Sequence, residues 1–254
     1  MNARPGHPSA RPYRGRITPG FFAHLFKAAF KQHHRALLPL LPLLRPLIPP
    51  DAVVLDVGAH AGQYAKLFAK LAPRGRVYAV EPQSYARRIL RVALALNRLG
   101  NVTILALALG AKRGTARLTI PVKASGSYGF GLAHLGPSTR AGEAETEEVA
   151  VDTIDALAKR LKLERLDFIK ADIEGFEQAM IQGARKTLAR LKPALLIEFN
   201  QEHLNRAGGS VAALWKILKG LGYRPFDPGV GASRAPIPRP RQGDILWLHR
   251  EAKN

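Results

Sequence analysis

The sequence predicts an α/β fold, a mostly parallel sheet with helices on both faces, and three stretches predict it. Val53–Pro82 reads VVLDVGAHAGQYAKLFAKLAPRGRVYAVEP: a β-branched strand, a glycine turn, a helix, and a second strand ending on an acid. Leu166–Glu177, LDFIKADIEGFE, repeats the logic, with an apolar strand running into acids and a helix-opening glycine. Pro193–Phe199, PALLIEF, is a third apolar run and ends acidic at Glu198. Runs that are apolar at successive positions suit strands buried on both faces, which is the setting of a parallel sheet.

In the first unit Val53, Val54, Leu55 and Val57 form the strand, and Asp56 interrupts it just before Gly58. A carboxylate there is costly to bury, so it belongs at the strand's C-terminal mouth, facing a ligand or a backbone donor. Gly58 and Gly62 bracket the turn, and without side chains they let a ligand reach the backbone and let the helix start close to the strand. Tyr64, Leu67, Phe68 and Leu71 follow at helical spacing, and Arg76–Val80 leads into Glu81, where a carboxylate can take both hydroxyls of a ribose. The glycine spacing is G-x-x-x-G, not the G-x-G-x-x-G of a pyrophosphate site, and no Gly-Lys-Ser/Thr follows it. Acids at both strand ends repel phosphate and suit S-adenosylmethionine, which carries a sulfonium and an ammonium. Taken singly, Asp56 also reads as a helix cap and Glu81 as a solvated strand end.

The remaining elements follow in order. Tyr85–Asn97 reads as a helix with Ile89, Ala93 and Leu96 inside and Arg87, Arg88 and Arg91 outside. Val102–Leu107 is a third strand, with the Ala108–Gly110 loop at its mouth. Thr115–Val122 is a further strand whose Thr115–Ile120 pairs with Glu147–Val151 as a hairpin around Lys123–Thr146, an irregular Gly- and Ser-rich stretch that is either a substrate lid or disordered. Asp152 is the expected cap of a helix that turns Ile154, Leu157 and Leu161 inward. Asp172, Glu174 and Glu177 crowd the mouth of the fourth strand, where like charges raise one another's pKa. After the fifth strand, Glu202 and His203 read either as part of its polar mouth or as a helix cap and a surface imidazole. Val211, Leu214, Leu218 and Leu221 mark a helix, and Tyr223–Phe226 with Ile245–Leu248 form an antiparallel pair.

Composition bounds the function. The chain has 254 residues and no cysteine, which excludes disulfides, thiolate metal sites and cysteine nucleophiles and is compatible with a cytoplasmic location. Its 39 Lys and Arg against 19 Asp and Glu give a net charge of +20, a balance that favours acidic partners. Residues 1–50 form a basic, Pro-rich arm with eight Lys or Arg and no acid, ahead of a catalytic domain over 51–254. Within the arm, Phe21, Phe22, Leu25, Phe26 and Phe30 recur at helical spacing. Such a helix can pack on the domain, or lie on an anionic membrane surface or on nucleic acid. Leu37–Ile48 is apolar but broken by prolines and too short to span a bilayer.

VVLDVGAHAGQYA, VYAVEP, DFIKADIEGFE and PALLIEF, in that order and spacing together with VDTID, resemble the FkbM family of S-adenosylmethionine-dependent methyltransferases. The resemblance covers about Val53 to Asn205 and, more weakly, the terminal strand pair. It implies a class I, Rossmann-like seven-stranded sheet in the order 3-2-1-4-5-7-6 with the last strand antiparallel, and O-methylation of a hydroxyl on a sugar, glycan or secondary metabolite. It carries the cofactor role onto Asp56, Gly58, Gly62, Glu81 and the Ala108 loop, with His60, Tyr64, Pro82 and Asp172 completing the set. The family usually has Asn where His60 stands and an acid where Ala111 stands.

Methyl transfer to a hydroxyl needs alignment and removal of a proton. Asp172 with Glu174 can act as base or hold a divalent metal that acidifies the hydroxyl, and His134 is a weaker base candidate. Two other functions compete: an RNA methyltransferase using the basic arm, and a non-catalytic scaffold with a cofactor fold.

Overall fold

The computed structural model describes residues 11–12, 19–30, 37–121, 134–135, 144–229 and 235–251. Seven strands make the main sheet: β1 (Val53–Val57), β2 (Arg76–Val80), β3 (Val102–Leu105), β6 (Phe168–Ala171), β7 (Ala194–Phe199), β8 (Tyr223–Phe226) and β9 (Gly243–His249). Their spatial order is β8-β9-β7-β6-β1-β2-β3. Numbered within the sheet this is the expected 3-2-1-4-5-7-6. Strand β9 runs antiparallel to both neighbours, and the other pairings are parallel.

Alternation along β1 feeds a core on each face. Leu55 and Val57 join Ile181, Leu188, Leu214 and Trp247 in one cluster. Val54 joins Phe68, Phe168, Leu196 and Leu246 in the other. Helix α2 (Gln63–Leu71) covers the second face with Leu67 and Phe68, as its periodicity predicts. Helices α5 (Glu177–Gln182), α6 (Arg185–Leu191) and α8 (Val211–Gly220) cover the first.

Helix α3 (Ser84–Leu96) buries Ile89 and Ala93 but leaves Leu96 53% exposed, so Leu96 is not an inward residue. Arg87, read as outward, turns back: it donates to the Glu81 and Pro82 carbonyls and pairs with Glu147. Strand β3 ends at Leu105, because Ala108–Leu109 leaves the main sheet to pair in parallel with Val151 and Asp152. The hairpin is β4 (Gly114–Pro121) and β5 (Ala144–Asp152), longer on the second arm than the sequence suggested. Thr153, not Asp152, caps α4 (Ile154–Arg160) by accepting from the Ala156 amide, while Asp152 binds Arg160. Residues 122–133 and 136–143, which hold most of the expected lid, lie outside the described residues.

The described part of the basic arm packs on the domain. Helix α1 (Pro19–Ala29) sets Phe21, Ala28 and Ala29 against Tyr85, Ile89 and Ala93 of α3. The Ala28 and Ala29 carbonyls accept from Lys66 Nζ and Asn97 Nδ2. Further on, Leu43, Leu44 and Ile48 are no more than 2% exposed and pack with Val54 and Phe68. A boundary at residue 50 is therefore drawn by charge and not by packing.

Candidate active site

A cavity of about 260 Å³ opens at the carboxyl ends of β1, β2 and β6. This is where a parallel α/β sheet binds ligands, because the connections leaving the two strands at its switch point run to opposite faces of the sheet. The glycine turn forms its floor. Gly58 has φ 78°, and a Cβ there would stand 2.0 Å from the Asp172 carbonyl oxygen. The glycine thus lets β6 close against the turn, and only then does the turn line the cavity. Gly62 has φ 89°, and a Cβ there would stand 2.5 Å from the Leu90 side chain, so its role is helix packing behind the wall. His60 sits in the left-handed region at φ 52°, which Asn tolerates better than most residues and which accounts for Asn as the usual family choice.

Glu81 is 6% exposed, and its two oxygens accept from the His60 and Gln83 amides at 2.8 Å each. Burial pushes its pKa up to about 7, against the pull of those amides and Arg87. Beside it lies Gln83, 1% exposed, whose Nε2 has no hydrogen-bond partner. An unsatisfied buried donor of this kind costs about 1–3 kcal/mol. A purine nitrogen or ribose oxygen in the cavity would satisfy it. Pro82, Ala108, Leu109 and Leu118 complete this apolar-walled end. These groups fit the adenosine half of S-adenosylmethionine.

At the other end, Lys170 is the cation. It is 6% exposed, lies 3.5 Å from Asp172 Oδ2 and stands 4.8 Å over the Tyr64 ring. Asp56 is its register partner on β1 and is fully buried, with neither oxygen in a standard hydrogen bond. Burial pushes Asp56 up to about 6; Lys170 and the Ala65 amide pull it down, and Asp172 pushes it further up. Asp56 and Gly62 are absent from the cavity lining, while Gly58, His60, Tyr64, Glu81, Pro82, Ala108 and Asp172 line it. Asp56 therefore stands one layer back, as the counter-charge to Lys170.

The three-acid cluster divides. Asp172 keeps its side chain 46% exposed in the cavity. Glu174, at φ 57°, also lines it; Arg206 donates to its carbonyl at 3.0 Å and lies 3.7 Å from its carboxylate, and His203 Nδ1 stands 3.1 Å from that carboxylate, an ion pair when the ring is protonated. Glu177 instead folds back, 2% exposed, to accept from the Ile173 and Gly175 amides, so it braces the turn. Asn200 caps α7 (Gln201–Arg206) by accepting from the Glu202 and His203 backbone amides, and the helix carries His203 and Arg206 to Glu174. The backbone of His134 pairs with Thr119, and its side chain lies outside the described residues. Among the described residues, no three His, Asp or Glu side chains are grouped to hold a metal ion.

Sequence reasoning missed Gln83, Lys170 and Arg206, and left His203 open between the strand mouth and the surface. Only Lys170 had a local signal, a lysine inside an otherwise apolar strand.

A glycine-turn cavity at the strand ends of a 3-2-1-4-5-7-6 sheet defines a class I methyltransferase. Residues 56–225 match the methyltransferase FkbM domain, and the chain belongs to the FkbM methyltransferase family. It is 24% identical to the 2-O-methyltransferase NoeI of Sinorhizobium fredii, over 84% of this chain and 83% of that protein. It is 27% identical to the AMB antimetabolite synthetase AmbE of Pseudomonas aeruginosa, covering 70% of this chain but only a tenth (10%) of AmbE. Methyltransferase sdnD of Sordaria araneosa is 25% identical over 54% of this chain and 61% of its own length. The crystal structure of methyltransferase FkbM from Methylobacillus flagellatus KT aligns with a TM-score of 0.47 and 17% identity, over 91% of this chain and 58% of that one.

Proposed function

We propose that this protein transfers a methyl group from S-adenosylmethionine to a hydroxyl of an uncharged acceptor such as a sugar or glycan. The carrying observation is the division of one cavity into a closed end, where the acceptor Glu81 sits beside the donor Gln83, and an open end at Asp172 and Glu174. The bound cofactor would supply a methyl group on a sulfonium leaving group. Glu81, fixed by two amides, would accept from the ribose hydroxyls, and Gln83 would donate to the adenosine. At the acidic end Asp172, anchored by Lys170 and open to the cavity, would align the acceptor hydroxyl and take its proton. Glu174, tied to His203 and Arg206, would position the acceptor.

The acidic end also bears on substrate charge. Glu198 is pushed up to about 7 by burial, then by Asp172, Glu177, Glu174 and Asp244. Asp244, opposite it on β9, is raised by desolvation and then by Asp172. Asp172 and Glu174 in the cavity wall, with Glu198 and Asp244 behind them, outnumber Lys170 and Arg206 and disfavour a phosphodiester, which favours a neutral acceptor over RNA despite the +20 net charge. The match to a 2-O-methyltransferase along most of its length supports oxygen as the atom methylated.

The test is transfer of radiolabelled methyl to a panel of neutral oligosaccharides and to total RNA, with wild type and Asp172→Asn in parallel. Label on saccharide that depends on Asp172 supports the proposal, and Asp172-dependent label on RNA overturns it.

A further inference from the structure

We infer that α1 and α3 together form a docking face for an anionic lipid bilayer. Among the described residues six large hydrophobic side chains are exposed, and five of them belong to this helix pair: Phe22, Phe26 and Phe30 on α1 and its last turn, Val92 and Leu96 on α3. The three rings are 65%, 56% and 61% exposed, far more than burial-driven packing would leave. They recur at i, i+4 and i+8 and so form a single row along α1. The helix is not apolar all round: Phe21, Ala28 and Ala29 make the face that holds it to the domain. The outer row therefore does not serve folding.

Charge selects the occupant. Lys27, Arg91 and Arg98 are exposed on or next to the same two helices, and neither helix contains an Asp or Glu. A second copy of this chain would bring the same cations against themselves, which disfavours self-association. Single-stranded nucleic acid would use the rings and the charges but not Val92 and Leu96, which cannot stack on bases. Aromatic and aliphatic side chains bordered by Lys and Arg suit the boundary between acyl chains and anionic headgroups. No described helix is long and apolar enough to cross a membrane, so the contact is with one leaflet.

The experiment is co-sedimentation of the full chain with vesicles of phosphatidylcholine alone and with vesicles of equal parts phosphatidylcholine and phosphatidylglycerol. Binding is expected to the anionic vesicles, weakened by salt, and reduced about tenfold or more in Phe22→Ser/Phe26→Ser/Phe30→Ser. Lys27→Glu/Arg91→Glu should remove the salt-dependent part alone. Undiminished binding by the triple serine variant, or no binding by wild type, overturns the inference. So does a clear fall in the triple variant's melting temperature, which would show that the rings pack within the chain. A wild-type dimer that the triple variant dissociates, or an RNA homopolymer that binds through the same residues and displaces the vesicles, would replace the bilayer with another occupant.

Discussion

Glu81→Gln separates the electrostatic cost of burying this carboxylate from its proposed role in binding the cofactor. In the folded protein burial raises Glu81 to about 7 from an ordinary 4.5. Between those two pH values the folded chain retains a proton that the unfolded chain has released, so stability falls as pH rises and levels off above about 7. With each pH unit of separation worth about 1.4 kcal/mol, Glu81 alone accounts for a loss on the order of 3 kcal/mol across that window. Glutamine cannot ionise, so the variant should lack this share of the slope and equal or exceed wild type at pH 8. At low pH the protonated Glu81 already sets one hydrogen against an amide donor, as the Gln NH₂ would, so the two proteins should differ there by no more than about 1–3 kcal/mol. The assay is urea unfolding of both proteins from pH 5 to pH 8, with S-adenosylhomocysteine titrated by calorimetry at each pH. Wild-type affinity should rise with pH as Glu81 ionises, and the variant should bind at least about tenfold more weakly at pH 8. A wild-type pH slope retained in full by Glu81→Gln would refute the reasoning, as would unchanged affinity.

Other expectations follow from the same geometry. Gln83→Leu should raise stability by about 1 kcal/mol while lowering S-adenosylhomocysteine affinity, because the donor is unsatisfied only in the free protein; parallel changes in denaturation and calorimetry would disprove this. Asp172→Asn should cut turnover about a hundredfold with cofactor affinity nearly unchanged, and a parallel fall in both would place Asp172 in the cofactor subsite instead. Lys170→Met leaves Asp56 and Asp172 without their shared cation and should destabilise by about 3 kcal/mol at pH 8, less at pH 5 where Asp56 takes up a proton; a pH-independent loss would argue against this pairing. Leu44→Ala should cost about 2–5 kcal/mol in urea unfolding, since its side chain is fully buried against the domain, whereas a loss under 1 kcal/mol, about the surface range, would make the segment a detachable arm.

The central unit of the sheet is legible in the chain's own residue pattern. The strand, glycine turn, helix and acid of Val53–Glu81 form locally, and their apolar periodicities are set by backbone geometry alone. Resemblance extended that unit to the full strand order, which the structure reproduces. Tertiary structure decided what the acids do. Asp56 meets Lys170 only because β1 and β6 are neighbours in that register, 114 positions apart in the chain. Glu174 gains His203 and Arg206 from a helix that follows the next strand, while Glu177, three residues on, turns away to hold its own backbone. In the sequence those two carboxylates are equivalent members of one cluster. The same holds for α1 and Phe30 just after it, where five large apolar residues share one periodic pattern. Contact with α3 is what divides them, taking Phe21 inward and leaving Phe22, Phe26 and Phe30 in solvent. Amphipathic spacing specifies that a helix has an apolar side, and only the packing partner fixes how much of that side is covered.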